Sequence, residues 1–168
     1  GLPRPIFLYA GRVAVEKNID AFLALDLPGT KVVVGDGPAL AELKRRFPDA
    51  IYTGYRENGA LVSAYAGANV FVFPSRTDTF GLVLLEALAS GTPVAAFPVM
   101  GPKDVVTDPR IGALDEDLRA ACLRALDGDR DACRRHAEAW SWQACAAQFR
   151  ATLVQVGASS ARSTPASG

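Results

Sequence analysis

The segment Val70–Ala96 reads VFVFPSRTDTFGLVLLEALASGTPVAA, and its pattern predicts a strand, a loop, a helix and a second strand. The opening run VFVF is apolar on both faces and ends at Pro74, which cannot donate to the hydrogen-bond ladder of a central strand. A helix is predicted over Gly81–Ser90, because Gly91 favours a helix end. The next strand is predicted over Pro93–Ala96. This order is typical of a parallel sheet covered by helices.

The rest of the chain continues the same alternation. Four further apolar runs predict strands at Ile6–Ala10, Lys31–Val34, Ile51–Thr53 and Ile111–Leu114. Helices are predicted at Ile19–Leu25, Pro38–Phe47, Asn58–Ala66, Asp115–Leu126, Asp129–Ala139 and Ser141–Val156. Together these elements predict an α/β fold with a doubly wound, Rossmann-like parallel sheet. Such sheets bind ligands at the carboxyl ends of their strands, so we expect the functional residues in the loops that follow the strands.

Composition places the chain among globular proteins, since 49% of its 168 residues are hydrophobic and 21% are charged. Its 18 basic and 18 acidic residues cancel, which argues against a nucleic acid or an anionic lipid surface as a direct partner. No apolar run reaches the roughly 18 residues of a membrane span, and we expect a cytoplasmic protein. Residues 1–5 are interpreted as a truncated interdomain linker, 6–156 as the domain and 157–168 as a disordered tail.

Neither the cysteines nor the acidic pairs predict a metal site. Cys122, Cys133 and Cys145 form no C-x-x-C pair and are expected to be small buried hydrophobic residues in a reducing compartment. The D-x-D pairs Asp115–Asp117 and Asp129–Asp131 resemble metal-binding pairs, but both open predicted helices, where carboxylates favour the helix dipole. We therefore expect no metal ion.

Two carboxylates lie on either side of the start of the predicted Gly81–Ser90 helix. Glu86 lies in the middle of this helix, which is apolar all round and is expected to be buried. A buried carboxylate needs either a structural arginine or ligand hydroxyls, such as those of a ribose. Asp78 precedes the helix and is either a helix cap or a ligand contact. An anion site suited to a diphosphate is predicted at the amides that open the helix; they belong to Phe80, Gly81, Leu82 and Val83.

The loops after the first two strands add cations and glycines. The loop Gly11–Asn18 carries Arg12 and Lys17, and no Walker loop is present. Exposed cations are usually solvated, but beside a diphosphate they would neutralise its charge. The motif Gly35–Gly37 matches half of a dinucleotide fingerprint and is interpreted as a tight strand-to-helix turn. A dinucleotide-dependent oxidoreductase stays open as an alternative.

In this order the motifs resemble those of one known family. They are G-R-x-x-x-E-K-N, V-G-D-G-P, T-G-Y, V-F-V-F-P-S and T-D-T-F-G-L-V-L-L-E-A-L-A-S-G-T-P-V. The chain resembles, over about residues 6–155, the C-terminal domain of retaining GT-B glycosyltransferases of the group 1 type. The resemblance implies that residues 6–156 bind a nucleotide-sugar donor.

The resemblance also implies a role for each matching residue. The cations that contact the donor phosphates correspond to Arg12 and Lys17, with Gly11 closing the phosphate side. The amides of Phe80–Val83 correspond to those that hold the diphosphate.

The resemblance also implies roles for the two carboxylates and for the residues near the nucleotide base. The carboxylate that binds the ribose corresponds to Glu86, and the one that touches the donor sugar corresponds to Asp78, where the family usually has Glu. The base is implied near three residues at the end of the third predicted strand: Gly54, Tyr55 and Arg56.

The family's activity implies a hexose transfer from a UDP- or GDP-sugar to a membrane lipid or a polysaccharide, without a metal or a protein nucleophile. The implied partner is a missing N-terminal acceptor-binding domain, through which the full-length enzyme would make peripheral membrane contact at the inner face. The fragment alone is expected to bind the donor without turnover. A GT-B-like nucleotide-sugar epimerase and a pure interaction module also stay open as interpretations of the sequence.

Overall fold

A computed structural model describes residues 1–78 and 81–141, which form a parallel sheet flanked by helices. The strands are β1 (Ile6–Ala10), β2 (Thr30–Val34), β3 (Ile51–Gly54), β4 (Val70–Phe73), β5 (Val94–Ala96) and β6 (Gly112–Leu114). They lie in the order β3-β2-β1-β4-β5-β6, and all neighbouring pairs are parallel. The predicted doubly wound, Rossmann-like α/β class is confirmed.

The helices alternate with the strands as the sequence predicts. They are α1 (Ile19–Leu23), α2 (Leu40–Arg46), α3 (Asn58–Gly67), α4 (Leu82–Ala89), α5 (Pro102–Val105) and α6 (Leu118–Ala125), and residues 130–141 are also helical. For these six helices, the predicted bounds agree within three residues wherever a helix was predicted. The short helix α5 and a 3₁₀ helix at Val15–Lys17 were not predicted.

Acidic residues begin two of the helices by capping their amides. The carboxylate of Asp117 accepts hydrogen bonds from two amides of the first turn of α6, and that of Asp115 accepts one from the amide of Asp117. The Asp129 carboxylate accepts from two amides in the same way. Both D-x-D pairs therefore lie at helix starts. Within residues 1–78 and 81–141 no cluster of three histidine, cysteine or acidic side chains could hold a metal ion.

The core lies along the two central strands. Phe7 on β1 and Phe71 on β4 are fully buried, and the register pairs Phe7 with Val70. Strands buried on both faces explain why their sequences are continuously apolar rather than alternating. Cys122 and Cys133 are buried free thiols, which confirms their interpretation as small hydrophobic residues.

Contacts divide the chain into Gly1–Ala137, which holds the sheet, and a second unit from Glu138 onwards. In the first unit, the carbonyls of Pro3 and Pro5 accept hydrogen bonds from Thr30 at the start of β2. Among the described helices, none combines the length and apolar character needed to cross a bilayer. Outside the described residues lie Cys145, Phe80, most of the last predicted helix and the predicted 157–168 tail.

Candidate functional site

The order of the strands creates a crevice at the carboxyl edge of the sheet. From β1 the chain adds β2 and β3 on one side, and it then crosses to add β4 on the other side of β1. The loops that follow β1 and β4 therefore diverge from neighbouring points on this edge. In doubly wound sheets this switch point is where ligands bind.

A pocket of about 260 Å³ opens beside this point, over the ends of β1, β2 and β3. Helices α3 and α4 supply its remaining wall. Its lining consists of Ala10, Gly11, Arg12, Val34, Gly35, Asp36, Tyr55, Arg56, Leu61, Tyr65, Val83 and Glu86. The apolar lining with a few charged groups is typical of a small-molecule site.

Glycines form the floor of the pocket because three loops cross there at close range. The amide of Gly11 donates to the carbonyl of Val34 at 3.0 Å, and that of Gly35 donates to the carbonyl of Gly54 at 3.0 Å. Gly35 has φ +144°, and a Cβ at this position would collide with the carbonyl oxygen of Gly11. A Cβ on Gly37 would likewise meet the backbone of Val13. Packing of the turn therefore accounts for Gly35 and Gly37, as the tight-turn interpretation predicts.

Helix α4 is not buried all round, and the prediction of a buried Glu86 is wrong. Leu84, Ala87 and Leu88 are buried, whereas Leu82 is 57% exposed and Glu86 is exposed. The buried residues have the three- and four-residue spacing of a single helix face, and only that face packs against the sheet. Glu86 lies on another face, which borders the pocket.

The Glu86 carboxylate accepts a hydrogen bond from a tyrosine that was not predicted as a site residue. The Tyr65 hydroxyl donates to Glu86 Oε2 at 3.1 Å, and Tyr65 is only 2% exposed. Burial raises the pKa of Tyr65, and the nearby Glu86 charge raises it further. The hydroxyl is therefore a proton donor at neutral pH. The signal in the sequence that could have identified Tyr65 is a large, polar aromatic residue among the mainly small residues of a helix.

Two arginines border the pocket with their charges open to solvent. The Arg12 side chain is 66% exposed, and its guanidinium lies 4.0 Å from Glu16, the outer limit of an ion pair. Arg56, in the loop between β3 and α3, is also exposed. Both arginines lie on the side of the pocket formed by the sheet loops, while Glu86 lies on the α4 side.

Lys17 and Asp78 do not line the pocket and belong to what we call the junction: Lys17, Asn18, Pro74, Ser75 and Asp78. Lys17 Nζ contacts Asp78 Oδ2 at 2.7 Å, with the two side chains 25% and 31% exposed. Asn18 Nδ2 donates to the carbonyl of Pro74 at 3.0 Å. The buried Ser75 Oγ accepts from the amide of Asp78 at 3.3 Å. These contacts join the loops after β1 and β4.

The start of α4 places Val83 in the pocket wall, and Gly81 and Leu82 precede it. Gly81 is buried, and its carbonyl accepts from the amide of Leu84 at 2.9 Å. The first amides of a helix have no partner within the helix. Gly54 lies at the end of β3, and Tyr55 after it is 67% exposed with its hydroxyl bonded to Glu57.

A family model described as glycosyl transferases group 1 matches residues 4–128. The chain belongs to the group 1 glycosyl transferases. The predicted family is thus confirmed, and the packing of Gly35 and Gly37 removes the one motif that favoured an oxidoreductase.

Relatives of this glycosyl transferase chain match it over most of its length. A GDP-mannose-dependent alpha-mannosyltransferase of Mycobacterium tuberculosis is 42% identical over 66% of the chain and 30% of its own length. An alpha-monoglucosyldiacylglycerol synthase of Streptococcus pneumoniae is 36% identical over 71% of the chain and 31% of its own length. The chain thus spans about a third of these relatives.

A solved structure agrees with the same fold. Sucrose-phosphate synthase from Thermosynechococcus elongatus superposes with a TM-score of 0.75 and 27% identity, over 92% of this chain and 46% of its own.

The pocket gathers six of the predicted site residues of this glycosyl transferase chain: Gly11, Arg12, Tyr55, Arg56, Val83 and Glu86. Lys17 and Asp78 pair with each other at the junction instead. Gly54 and Leu82 are next to lining residues in the chain, and Gly81 lies two residues before the lining residue Val83.

Proposed function

We propose that this chain is the donor-binding domain of a retaining glycosyltransferase that transfers a hexose from a UDP- or GDP-sugar to an acceptor. The observation that carries the proposal is the pocket itself, in which an anchored carboxylate, Glu86, faces two arginines across a cleft of about 260 Å³. A ribose needs hydroxyl acceptors, and a diphosphate needs cations. Both requirements are met at the switch point of the sheet.

The proposed roles follow the chemistry of each group. Glu86 accepts hydrogen bonds from the ribose hydroxyls, and Arg12 attracts the diphosphate together with the amides at the start of α4. The base lies toward Tyr55 and Arg56, at the end of β3. Asp78 reaches the donor sugar, and Lys17 supplies a second cation once a phosphate competes with Asp78 for it.

The transfer step requires no protein nucleophile in this proposal. The acceptor hydroxyl attacks the anomeric carbon on the face from which the diphosphate leaves. The bond from that carbon to the phosphate oxygen breaks, the hydroxyl proton passes to the departing oxygen, and the leaving charge is stabilised by the cations and by the helix amides. A metal ion is not needed, because these groups neutralise the phosphate. The chain alone is proposed to bind the donor without turnover, since an acceptor-binding domain completes the site.

A membrane lipid is the acceptor class that the relatives favour. The pneumococcal synthase, 36% identical, is named for a glucosyldiacylglycerol product. A full-length enzyme with such an acceptor works at a membrane surface, and we place it at the cytoplasmic face. A polysaccharide acceptor is the alternative.

The test is a calorimetric titration of the chain with UDP, GDP and ADP, in the presence and absence of EDTA. We expect one nucleotide to bind, equally well with EDTA. Glu86→Gln should weaken that nucleotide about 10- to 100-fold, because hydrogen bonds to a charged group contribute about 1.5–3 kcal/mol. The matched control is Glu42→Gln, which removes an α2 carboxylate that pairs with Arg45. No binding of any nucleotide, or equal affinity in the two variants, would contradict the proposal.

A further inference from the structure

The Tyr65 ring is held by packing, and the Tyr65 backbone is held by a hydrogen bond. It is 2% exposed, and its edge packs against Phe71 on β4, with the ring centroids 5.4 Å apart and the planes at 63°. Its carbonyl accepts a hydrogen bond of 2.6 Å from Thr92 Oγ1, which is itself buried. A buried ring held in this way keeps its hydroxyl at one point at the back of the pocket.

The Glu86 side chain has no comparable restraint from packing. It is exposed, and its three rotatable bonds allow many orientations in solvent. Its contact with Tyr65 is a hydrogen bond of 3.1 Å to Oε2. A carboxylate accepts about four hydrogen bonds. Among the described residues, one acceptor position of Oε2 is therefore used, and the remaining positions, including those of Oε1, are open to a ligand in the pocket.

We propose that Tyr65 is a positioning residue. Its hydroxyl holds the Glu86 carboxylate in the orientation in which the carboxylate accepts hydrogen bonds from the ribose hydroxyls of the nucleotide. This inference rests on the proposed function. A carboxylate oriented before binding loses less side-chain freedom when the ligand arrives, and the affinity rises accordingly. Tyr65 touches neither the ribose nor the phosphates in this account.

A purely structural role for Tyr65 predicts something different. If the ring only fills space between α3 and β4, then removal of the hydroxyl changes stability and leaves the recognition of the ribose unchanged. The substitution Tyr65→Phe keeps the ring and removes only the donor. The matched control is Tyr52→Phe, because the Tyr52 hydroxyl bonds to the carbonyls of Leu43 in α2 and of Phe47 just after it, and Tyr52 does not line the pocket.

The experiment compares GDP or UDP, whichever the unsubstituted chain binds more tightly, with its 2′,3′-dideoxy form. Tyr65→Phe should weaken the ribonucleotide about 3- to 10-fold, and Tyr52→Phe should leave it unchanged. The dideoxy form lacks the hydroxyls that would donate hydrogen bonds to Glu86, so the unsubstituted chain and Tyr65→Phe should bind it equally.

Each outcome decides a different question. If the unsubstituted chain binds neither GDP nor UDP, then the proposed function fails and this inference fails with it. If it binds and Tyr65→Phe binds the ribonucleotide equally, then only the positioning role is overturned. A loss that is the same for the dideoxy form also overturns it, because the hydroxyl then acts without the ribose.

A second measurement covers the case in which Tyr65→Phe does not fold. The chain has four tyrosines, so ¹³C labels at their ζ carbons give four resonances, and variants at Tyr9, Tyr52 and Tyr55 assign Tyr65 by elimination. The Tyr65 resonance should move more with the ribonucleotide than with the dideoxy form. Equal shifts would overturn the positioning role.

Discussion

The junction and the pocket lie beside the same switch point, but their charges are arranged in opposite ways. At the junction, Lys17 and Asp78 form an ion pair of 2.7 Å with each side chain less than one third exposed. At the pocket, Arg12 is two thirds exposed, and within residues 1–78 and 81–141 Glu86 bonds to a neutral hydroxyl rather than to a cation. The two charges of the junction neutralise each other, whereas the charges of Arg12 and Glu86 at the pocket are accessible to a ligand.

This difference shows that a sequence motif does not reveal which of its charged side chains form ion pairs in the folded protein. The loops after β1 and β4 each carry a charged residue that the sequence assigns to the donor site. Only the tertiary structure reveals that Lys17 is already neutralised by Asp78. In the proposed function, a diphosphate therefore competes with Asp78 for Lys17, whereas the exposed Arg12 side chain is accessible without such competition.

The largest effect is expected from a change that breaks the pocket floor and leaves the junction ion pair in place. Gly35→Ala introduces a Cβ that collides with the Gly11 carbonyl at φ +144°. Overpacking and backbone strain together should lower the free energy of unfolding by about 3 kcal/mol. Thermal unfolding measures this loss as a lower Tm. Gly59→Ala is the control, because a Cβ there meets nothing within 4 Å. Equal melting temperatures would contradict the close crossing of the loops.

Alkaline pH tests the two regions separately, because a buried tyrosine senses the charge of each region's carboxylate, Asp78 or Glu86. Burial raises the pKa of Tyr9, whose hydroxyl donates to the carbonyl of Arg12, and Asp78 raises it further. Burial and then Glu86 do the same for Tyr65. A raised pKa in the folded state stabilises the fold below about pH 10, and this stabilisation is lost as the pH rises, by about 1.4 kcal/mol per pH unit for each tyrosine.

Denaturant unfolding between pH 9 and 11 measures this loss. Tyr9→Phe and Tyr65→Phe should each make the decline shallower, and the double variant more so. Burial also raises the pKa of the Cys122 thiol to about 12 and that of Cys133 to about 11, so a residual decline is expected in every variant. An unchanged slope in either single variant would show that its hydroxyl is not buried as described.

The smallest effect is expected from opening the junction. Asp78→Asn removes the carboxylate that holds Lys17, so a nucleoside diphosphate should bind about two- to fivefold more tightly by calorimetry. The free energy of unfolding should fall by no more than about 1 kcal/mol, since the ion pair is partly exposed. Asp104→Asn, an exposed change on α5, is the control. Weaker binding would instead show that Asp78 itself supports the ligand.

The sheet was predictable because its strands are buried on both faces. Runs such as Ile6–Ala10 and Val70–Phe73 are continuously apolar and end at glycine or proline, and the structure gives both strands the same bounds. Their parallel arrangement follows from the helices between them. The loops that contribute to the pocket could therefore be assigned to one edge of the sheet from the chain's pattern alone.

The burial of α4 and the partner of Glu86 were not predictable in this way. An apolar helix pattern indicates burial all round, but the sheet covers only the face of Leu84, Ala87 and Leu88. The partner of Glu86 lies 21 residues away on α3, at a separation that no local periodicity encodes.

The sequence by itself determined the α/β class, the positions of the strands and the family, because these depend on local apolar patterns and on motif order. Only the tertiary structure decided that Tyr65 supports Glu86, that Lys17 pairs with Asp78 and that Arg12 is open to solvent. The physical reason is distance along the chain. These contacts join residues 21 and 61 positions apart, and which charges meet depends on how the loops and helices pack over the finished sheet.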